Sequence, residues 1–335
     1  MDIYPLKFEP VILEKIWGGT DFCRMFPGKG VSSDIRAGEI WEIAARKDCS
    51  SVVANGPLAG KTLSGLVAEH GNAIAGERAL DSGKGRFPLL YKFLDAADQL
   101  SVQVHPDDGY AEEHENDLGK MEAWYILDAD KDARIVKGLK PGFDREDFKK
   151  LLEEGKLDEC LNMFGVASGD VVFIPPRTLH TIGGRIVLFE IQQNSDVTFR
   201  AYDWGRTGTD GKPRQLHIDQ VFDVADFNPP LRTVEPVERP DTEEYTAVLV
   251  DCPYFILEEA KIVSGFEMCA PADRFLALTV VKGEGTFVHV PEVVYRTGDT
   301  VLIPPGLECT VQPDAKTVML VSYVPPAADW YRRSG

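Results

Sequence analysis

Short apolar runs, ended by turn residues, make up most of this 335-residue chain. Alternating apolar and polar positions over 100–105 predict one strand, and the apolar stretch 89–94 predicts a buried one. Helical spacing of apolar residues occurs at 61–80 and in a charged piece at 145–163. Because 30 Gly and 22 Pro punctuate the runs, the pattern favours many short strands over long helices.

One pattern occurs twice. A Gly-Asp turn, a four-residue apolar strand and a Pro-Pro exit follow one another at 169–176 and again at 298–305. Such a repeat is typical of one β-barrel-like module used twice. Four residues beyond the second proline, the first copy has His180 and the second has Cys309. If a metal ligand belongs at this point, only the first module retains it.

The length of the chain favours two domains over one. A stretch rich in proline and acidic residues at 226–243 is the expected linker. We therefore predict a mainly β protein of two barrel modules. The catalytic one spans residues 1–230, with a small helical insertion at about 142–164, and a C-terminal one without a metal site spans 231–335.

The net charge of −18 argues against nucleic-acid and anionic-membrane partners, because the overall field repels polyanions. No apolar run approaches the roughly 20 residues that span a bilayer, and the N-terminal residues do not resemble a signal peptide. The six cysteines are scattered without a C-x-x-C pair, which indicates reduced thiols and a cytoplasmic protein. An anionic ligand would require a local cluster of cations.

Five polar residues stand at spacings suited to a buried site. Gln103 and His105 share one strand face at i and i+2, as do Lys120 and Glu122, and His180 follows a third strand. Two imidazoles, a carboxylate and an amide oxygen suit Zn²⁺ or another borderline divalent ion. Polar residues inside a barrel also satisfy one another without a metal, so the spacing alone leaves both interpretations open.

Three segments carry a distinctive combination of residues: Val-Gln-Val-His-Pro-Asp-Asp at 102–108, Gly-Lys-Met-Glu-Ala-Trp-Tyr-Ile-Leu at 119–127 and Pro-Pro-Arg-Thr-Leu-His at 175–180. Supporting segments lie at 14–19, 38–43, 88–92, 190–200 and 202–217. In this order they resemble the type I mannose-6-phosphate isomerases of the cupin superfamily, in their shorter bacterial branch. The resemblance covers roughly residues 3–225.

This resemblance implies two cupin jelly-roll modules and an aldose–ketose isomerase that interconverts mannose 6-phosphate and fructose 6-phosphate through an enediol. It places the ligands of one zinc ion on Gln103, His105, Glu122 and His180. The family often has a small residue where this chain has Met121. We expect the Met121 side chain to face away from the metal.

The phosphate of such a substrate must be bound by side-chain cations. The chain has no glycine-rich phosphate loop, since Gly283-Glu284-Gly285 predicts a hairpin turn. Lys92, Lys120 and Arg200 are the candidates, and each lies in a family-like segment. The planar fork of Arg200 suits a phosphate or an enediolate oxygen, and an ion pair with Glu190 or Asp196 is the structural alternative.

The proton shuttle is open among Asp196, Glu190 and Lys120. Carrying over the active-site segments of the family assigns electrostatic catalysis to Arg200 and proton transfer to Asp196 and Lys120. Lys92 and Glu190 are then expected to bind substrate.

Two other functions are compatible with the fold. A cupin dioxygenase usually has a His-x-His pair, which Gln103-Val104-His105 matches poorly. A non-catalytic sugar-binding cupin would be expected to lose a ligand or Arg200, and all are present. The sequence does not distinguish a monomer from a homodimer.

Overall fold

The computed structural model describes residues 2–208, 211–228 and 233–326. These residues form 21 strands and six helices, so the predicted mainly β fold is confirmed. Among them, no helix combines the length and the apolar character needed to cross a membrane.

The elements follow in chain order. The strands are β1 (Leu6–Lys7), β2 (Val11–Gly19), β3 (Ala37–Ile43), β4 (Leu89–Ala96), β5 (Val102–Val104), β6 (Glu122–Ala129), β7 (Arg134–Leu139), β8 (Leu161–Gly165), β9 (Val171–Ile174), β10 (His180–Ile182), β11 (Ile186–Gln193), β12 (Phe199–Tyr202), β13 (Tyr245–Asp251), β14 (Ile256–Ile262), β15 (Phe266–Cys269), β16 (Leu276–Lys282), β17 (Glu284–Val288), β18 (Val293–Arg296), β19 (Thr300–Ile303), β20 (Glu308–Pro313) and β21 (Thr317–Tyr323). The helices are α1 (Asp21–Met25), α2 (Leu63–Ile74), α3 (Glu77–Ser82), α4 (Asp108–His114), α5 (Arg145–Glu153) and α6 (Ile218–Val224). Short 3₁₀ turns lie at Pro27–Lys29, Gly56–Leu58 and Leu157–Glu159.

Four sheets make up the described residues. A six-stranded sheet in the order β2-β3-β4-β11-β6-β9 faces a five-stranded sheet in the order β12-β5-β10-β7-β8. The other two sheets are β1-β19-β16-β21-β14-β13 and β15-β20-β17-β18. The pairings within all four are antiparallel, as the short strands and frequent turns predict.

The first six-stranded sheet is buried on both faces. One face, with Trp124 and Leu188, packs against Ile135 and Ile182 of the five-stranded sheet. The opposite face carries aromatic residues that pack on the C-terminal sheet. Tyr91, Phe93 and Phe189 of this face contact Leu257 of β14 and Leu320 of β21 in one apolar cluster. Burial on both sides explains why β4 and β11 have almost continuous apolar runs instead of strict alternation.

The outer face of the five-stranded sheet is covered by helices. Val102 and Val104 of β5 point outward and pack with Phe148 of α5 and Val221 of α6. Since side chains alternate along a strand, the intervening Gln103 points inward between the two sheets. The alternation read from the sequence thus fixes the direction in which the polar residue of β5 points.

The helical predictions are right in part. The predicted helix at 61–80 is two helices, because Gly76 between them has a positive φ of 90°. A side chain there would collide with the Asp273 carbonyl oxygen, so only glycine fits. The predicted helix at 145–163 ends at Glu153, and 161–163 belong to β8. The apolar residues of 161–163 fit a short strand as well as a helix.

The predicted hairpin at Gly283 is wrong. Gly283 does turn the chain, with a φ of 109°, but the strands it joins lie in different sheets. β16 pairs with β19 and β21, whereas β17 pairs with β18 and β20. The turn therefore carries the chain from one layer of the C-terminal sandwich to the other.

The two copies of the sequence repeat occupy similar positions. Residues 171–174 form β9 and residues 300–303 form β19, each preceded by a glycine with positive φ. His180 begins β10, and Cys309 lies in β20. All six cysteines are free thiols.

The predicted linker is exposed over 238–244, but it is anchored at two points. Glu235 lies 3.8 Å from the buried ammonium of Lys137, and Arg239 binds the carboxylate of Glu259. Residues 229–232, which include the predicted boundary between 230 and 231, lie outside the described residues. The division into two domains stays a prediction.

Candidate metal centre and active site

Three buried side chains converge between the two facing sheets. His105, Glu122 and His180 each offer a ligand atom, and these atoms lie within 4.8 Å of one another. The Nε2 atoms of His105 and His180 are 3.5 and 3.3 Å from the Glu122 carboxylate. Such convergence of two imidazoles and a carboxylate is typical of a divalent metal site.

Strand register brings the site together. Gln103 of β5 pairs with His180 of β10 on one side and with Arg200 of β12 on the other. Paired residues point to the same face, so these three side chains form a row on the inner face of the five-stranded sheet. Glu122 begins β6 in the opposite sheet, and His105 follows β5. The ligands therefore come from both sheets.

Backbone carbonyls orient the two imidazoles. His105 Nδ1 lies 2.8 Å from the Val197 carbonyl oxygen, and His180 Nδ1 lies 2.8 Å from that of Thr178. A carbonyl only accepts hydrogen bonds, so each Nδ1 carries the proton and each Nε2 lone pair faces Glu122. Burial lowers the pKa of His105 well below its usual range and that of His180 to about 4. Both imidazoles are therefore neutral near pH 7, as metal ligation requires.

Gln103 can complete the donor set. Its amide Nε2 lies 3.4 Å from His180 Nε2, and its Oε1 lies 3.3 Å from Ser101 Oγ. Turning the amide about its last bond brings the oxygen to His180 Nε2. Two nitrogens and two oxygens then face one point, a set that fits zinc.

Lys120 lies beside this cluster. Its Nζ is 2.6 Å from Glu122 Oε2, 3.0 Å from His105 Nε2 and 3.5 Å from Glu190 Oε1. Burial opposes the charged form, but the Glu122 and Glu190 carboxylates outweigh it and raise the pKa of Lys120. Lys120 is therefore an ammonium group, suited to donate a hydrogen bond or a proton.

The carboxyl groups of Glu190 and Asp196, the other two predicted site residues with carboxylates, have pKa values shifted in opposite directions. Burial, aided by the Glu122 charge and opposed by Lys120, raises the pKa of Glu190 to about 7. For Asp196, burial is outweighed by Lys92 and Lys120, which lower its pKa. Asp196 is 3.7 Å from Lys92 Nζ, and its side chain is 49% exposed. At neutral pH, Asp196 is ionised while Glu190 exchanges its proton readily.

A cavity of about 220 Å³ opens over the cluster. Seven of the nine predicted site residues line it: Lys92, Gln103, Lys120, Glu122, Glu190, Asp196 and Arg200. The other two, His105 and His180, are buried beneath it. The structure thus brings together every residue that the sequence singled out.

The sequence reasoning missed several residues of this cavity. Lys15, Glu39 and Arg214 also line it, and Lys15 Nζ is 3.2 Å from Glu39 Oε1. Lys15 and Glu39 lie in the family-like segments 14–19 and 38–43, and this was the signal in the sequence that could have identified them as site residues. Their approach to the site depends on the pairing of β2 and β3 with β4.

Two arginines, Arg200 and Arg214, also line the cavity. Arg200 Nη1 donates to the Gln215 carbonyl oxygen at 3.1 Å, while its buried Nε binds no described residue. Arg214 is held by the Asp203 carboxylate. Burial and the Arg214 charge lower the pKa of Arg200. Two guanidinium groups on one wall make this end of the cavity a place for an anion.

A two-sheet β fold with this cluster, and with cations around the cavity above it, defines a metal-dependent enzyme of the cupin type acting on a small anionic substrate. The family model for the catalytic domain of type I phosphomannose isomerases matches residues 6–132. Mannose-6-phosphate isomerase ManA of Bacillus subtilis is 40% identical over 314 residues, which are 92% of this chain and 95% of that protein. This chain therefore belongs to the type I phosphomannose isomerase family, as its motifs predict.

Further relatives agree. Mannose-6-phosphate isomerase of Streptococcus mutans is 37% identical over 90% of this chain and 92% of that protein. The crystal structure of the mannose 6-phosphate isomerase from Bacillus subtilis superposes with a TM-score of 0.83 at 32% identity, over 96% of this chain and 99% of that chain. A zinc-bound mannose 6-phosphate isomerase shares the fold, with a TM-score of 0.74 at 15% identity over 97% of this chain and the whole of that one.

Proposed function

We propose that this protein interconverts mannose 6-phosphate and fructose 6-phosphate as a metal-dependent aldose–ketose isomerase. The observation that carries the proposal is the His105–Glu122–His180 cluster, in which two neutral imidazoles face a carboxylate at the floor of a cavity lined in part by cations. Relatives that span nine-tenths of the chain bear the name mannose-6-phosphate isomerase.

One zinc ion would be held by Gln103, His105, Glu122 and His180, and other divalent ions accept the same donors. When bound, the ion supplies Lewis-acid polarisation of the sugar's carbonyl and hydroxyl oxygens. The chain's own residues must do the rest: bind the phosphate, orient the reacting end and move one proton between C1 and C2.

Proton transfer is proposed for Asp196 and Lys120. The isomerisation passes through an enediol, which requires a base at carbon and a donor at oxygen. The raised pKa of Lys120 keeps it an ammonium, so Lys120 is the donor to the sugar oxygen. Asp196 is ionised and lies at the cavity surface, so Asp196 is the base.

Glu190 is the competing base. In register it lies between Lys92 of β4 and Trp124 of β6, and a carboxyl of pKa about 7 is well matched to accept a proton at neutral pH. The two roles are separable by mutation. If Asp196 is the base, Asp196→Asn lowers kcat by at least about 10²-fold, while Glu190→Gln mainly raises KM. The reverse pattern assigns the base to Glu190.

Substrate orientation is proposed for the cations. Arg200 is one strand away from Gln103, close enough to stabilise negative charge that develops on a sugar oxygen. Arg214, farther along the same wall, would take the phosphate. Lys92, buried between Trp41 and Asp196, would bind a sugar hydroxyl. Binding energy at the remote phosphate then positions the reacting end.

The alternative functions gain no support within the described residues. A dioxygenase would need a different ligand set in the first motif. A non-catalytic binding protein would be expected to lose a ligand or Arg200, and all of these residues are present at the site. We also propose a cytoplasmic enzyme, free of nucleic-acid and membrane partners, that is a monomer or a homodimer. Its mass in solution, measured by light scattering after gel filtration, distinguishes the last two.

The deciding experiment combines metal content with turnover. Purified protein is assayed with mannose 6-phosphate before and after dialysis against a chelator, with zinc measured in both samples. We expect about one zinc per chain, loss of turnover with the metal and recovery when zinc is restored. Turnover that survives complete metal removal would contradict the proposed chemistry, and bound zinc without turnover would favour a binding protein.

A further inference from the structure

A second cavity, of about 700 Å³, lies apart from the active site. It is bordered by the segment after β3, the start of α2 and the turn after α4. No described residue that lines it also lines the active-site cavity. The proposed isomerisation does not use it.

The lining of this cavity carries three cations and two carboxylates. Arg46, Lys47 and Arg86 face it, against the acidic residues Glu115 and Asp117. Asp117 is shared by two of the cations, at 2.9 Å from Arg86 Nη1 and 3.5 Å from Arg46 Nη1, and Arg46 Nε also lies 3.3 Å from the exposed Asp48 carboxylate. Lys47 forms no ion pair within the described part of the chain. The lining therefore has a small excess of positive charge, and in a chain of net charge −18 this excess, with Lys47 unpaired among the described residues, favours an anion there.

Two polar side chains at this cavity, Asn194 and Ser50, have hydrogen-bonding capacity that a ligand could use. Asn194 is 2% exposed, and its Nδ2 donates to the carbonyl oxygens of Ala45 and Phe87, but its Oδ1 accepts no hydrogen bond from the described residues. Ser50 Oγ accepts from the amide nitrogen and the hydroxyl of Ser64, both at 2.9 Å, so its own proton remains to be donated. A buried acceptor needs a donor, which a bare phosphate at neutral pH scarcely offers and a sugar hydroxyl does.

We infer that this cavity is a binding site for a phosphorylated sugar that acts as an effector of the enzyme. Its phosphate lies among Arg46, Lys47 and Arg86, with Ser50 donating to it at the positive end of α2. A sugar hydroxyl donates to Asn194 Oδ1.

The site is connected to the active site through one short segment. Arg46 Nη1 lies 3.5 Å from the Asn194 carbonyl oxygen, and two residues farther along is Asp196, which lines the active-site cavity. A ligand that binds Arg46 and the Asn194 side chain therefore contacts the segment that positions Asp196. Occupancy of the second cavity changes kcat, an effect that rests on the proposed isomerase function.

The probe for this inference is fructose 1,6-bisphosphate. The phosphate at C1 removes the hydroxyl that isomerisation needs, so the probe is not turned over. Calorimetric titration of the zinc-loaded protein should give two sites. Lys47→Gln, at an exposed residue without an ion-pair partner, should weaken one site about tenfold or more, and adding Arg86→Gln should weaken it further. Lys61→Gln removes another exposed cation, which does not line the cavity, and should change neither site.

Kinetics supply the second readout. The probe should change kcat for mannose 6-phosphate in the wild type, and in Lys47→Gln the same change should require about tenfold more probe while turnover without the probe is unaltered. A single calorimetric site, or two sites indifferent to Lys47, overturns the inference, and so does purely competitive inhibition. Inorganic phosphate that displaces the probe with equal affinity overturns the assignment to a sugar. If mannose 6-phosphate is not turned over at all, the proposed function fails, while the calorimetry still decides the second site.

Discussion

Glu259 makes the strongest testable link between the two sandwiches. Its carboxylate, 2% exposed, accepts hydrogen bonds from Tyr125 Oη at 2.7 Å, Tyr245 Oη at 2.5 Å and Arg239 Nε at 2.7 Å. Tyr125 belongs to β6, the strand that begins with the proposed metal ligand Glu122. We predict that Glu259→Gln, which keeps the shape and removes the charge, destabilises the protein at neutral pH.

The magnitude follows from the contacts. A hydrogen bond to a charged group contributes roughly 1.5–3 kcal/mol, and breaking a buried ion pair costs about 3–5 kcal/mol. The Arg239 side chain is 31% exposed, so water compensates part of the loss, and glutamine retains one acceptor oxygen. We expect the free energy of unfolding at pH 7 to fall by about 2 kcal/mol.

The pH dependence tests whether charge is the cause. Burial raises the pKa of Glu259, but Arg239, Tyr245 and Tyr125 outweigh it and lower the pKa. A carboxylate with a lowered pKa stabilises the folded state above the unfolded value of about 4.3. That stability is lost as the pH falls through the lowered pKa. The gap between wild type and variant should therefore narrow below about pH 4.

The assay is urea denaturation at pH 7 and at successively lower pH. Glu258→Gln is the matched control, because Glu258 is the next residue on the opposite face of β14 and burial raises its pKa. A charge held at a raised pKa opposes folding at neutral pH, so removing it should leave stability unchanged or slightly higher. Equal losses in the two variants, or a Glu259→Gln deficit that persists undiminished at low pH, would refute the reasoning.

Three further predictions concern the active site. His180→Ala should abolish zinc binding and activity while Cys309→Ala leaves both nearly unchanged, as metal analysis and turnover will show; equal losses would mean that the repeat has been misinterpreted. Lys120→Met should lower kcat about 10²–10⁴-fold with zinc content retained, and loss of the metal instead would make Lys120 a structural residue. Steady-state kinetics should show that Arg200→Gln lowers kcat about 10²-fold whereas Arg214→Gln mainly raises KM; a pure KM effect in both would make Arg200 a phosphate ligand only.

The convergence of the four proposed metal ligands was predictable because they lie in regular local patterns. Gln103 and His105 share a strand face through simple alternation, and the ordered motifs identified Glu122 and His180 as their partners. The same holds for Lys120, whose spacing from Glu122 places it at the cluster. For these residues, local geometry and the family motifs together suffice.

Other features depend on which strands pair, and local patterns carry little of that information. Lys15 and Glu39 reach the cavity only because β2 and β3 extend the sheet of β4. Gly283 was correctly predicted to turn the chain, but the sheet that each flanking strand joins is decided by distant residues. The second cavity is likewise assembled from segments far apart in the chain.

The sheet that contains Glu122 also packs against the C-terminal half of the chain. Tyr91, Phe93 and Phe189 are buried against that half, and each contributes roughly 1.5–3 kcal/mol by burial. The first strand, β1, lies in the C-terminal sheet, where Leu6 pairs with Leu302. The two halves are thus interlaced, and cutting the gene at residue 230 would yield a fragment with a bare aromatic face and a strand lacking its neighbour. For protein engineers, we therefore expect the N-terminal half to fold poorly when it is expressed without the C-terminal half.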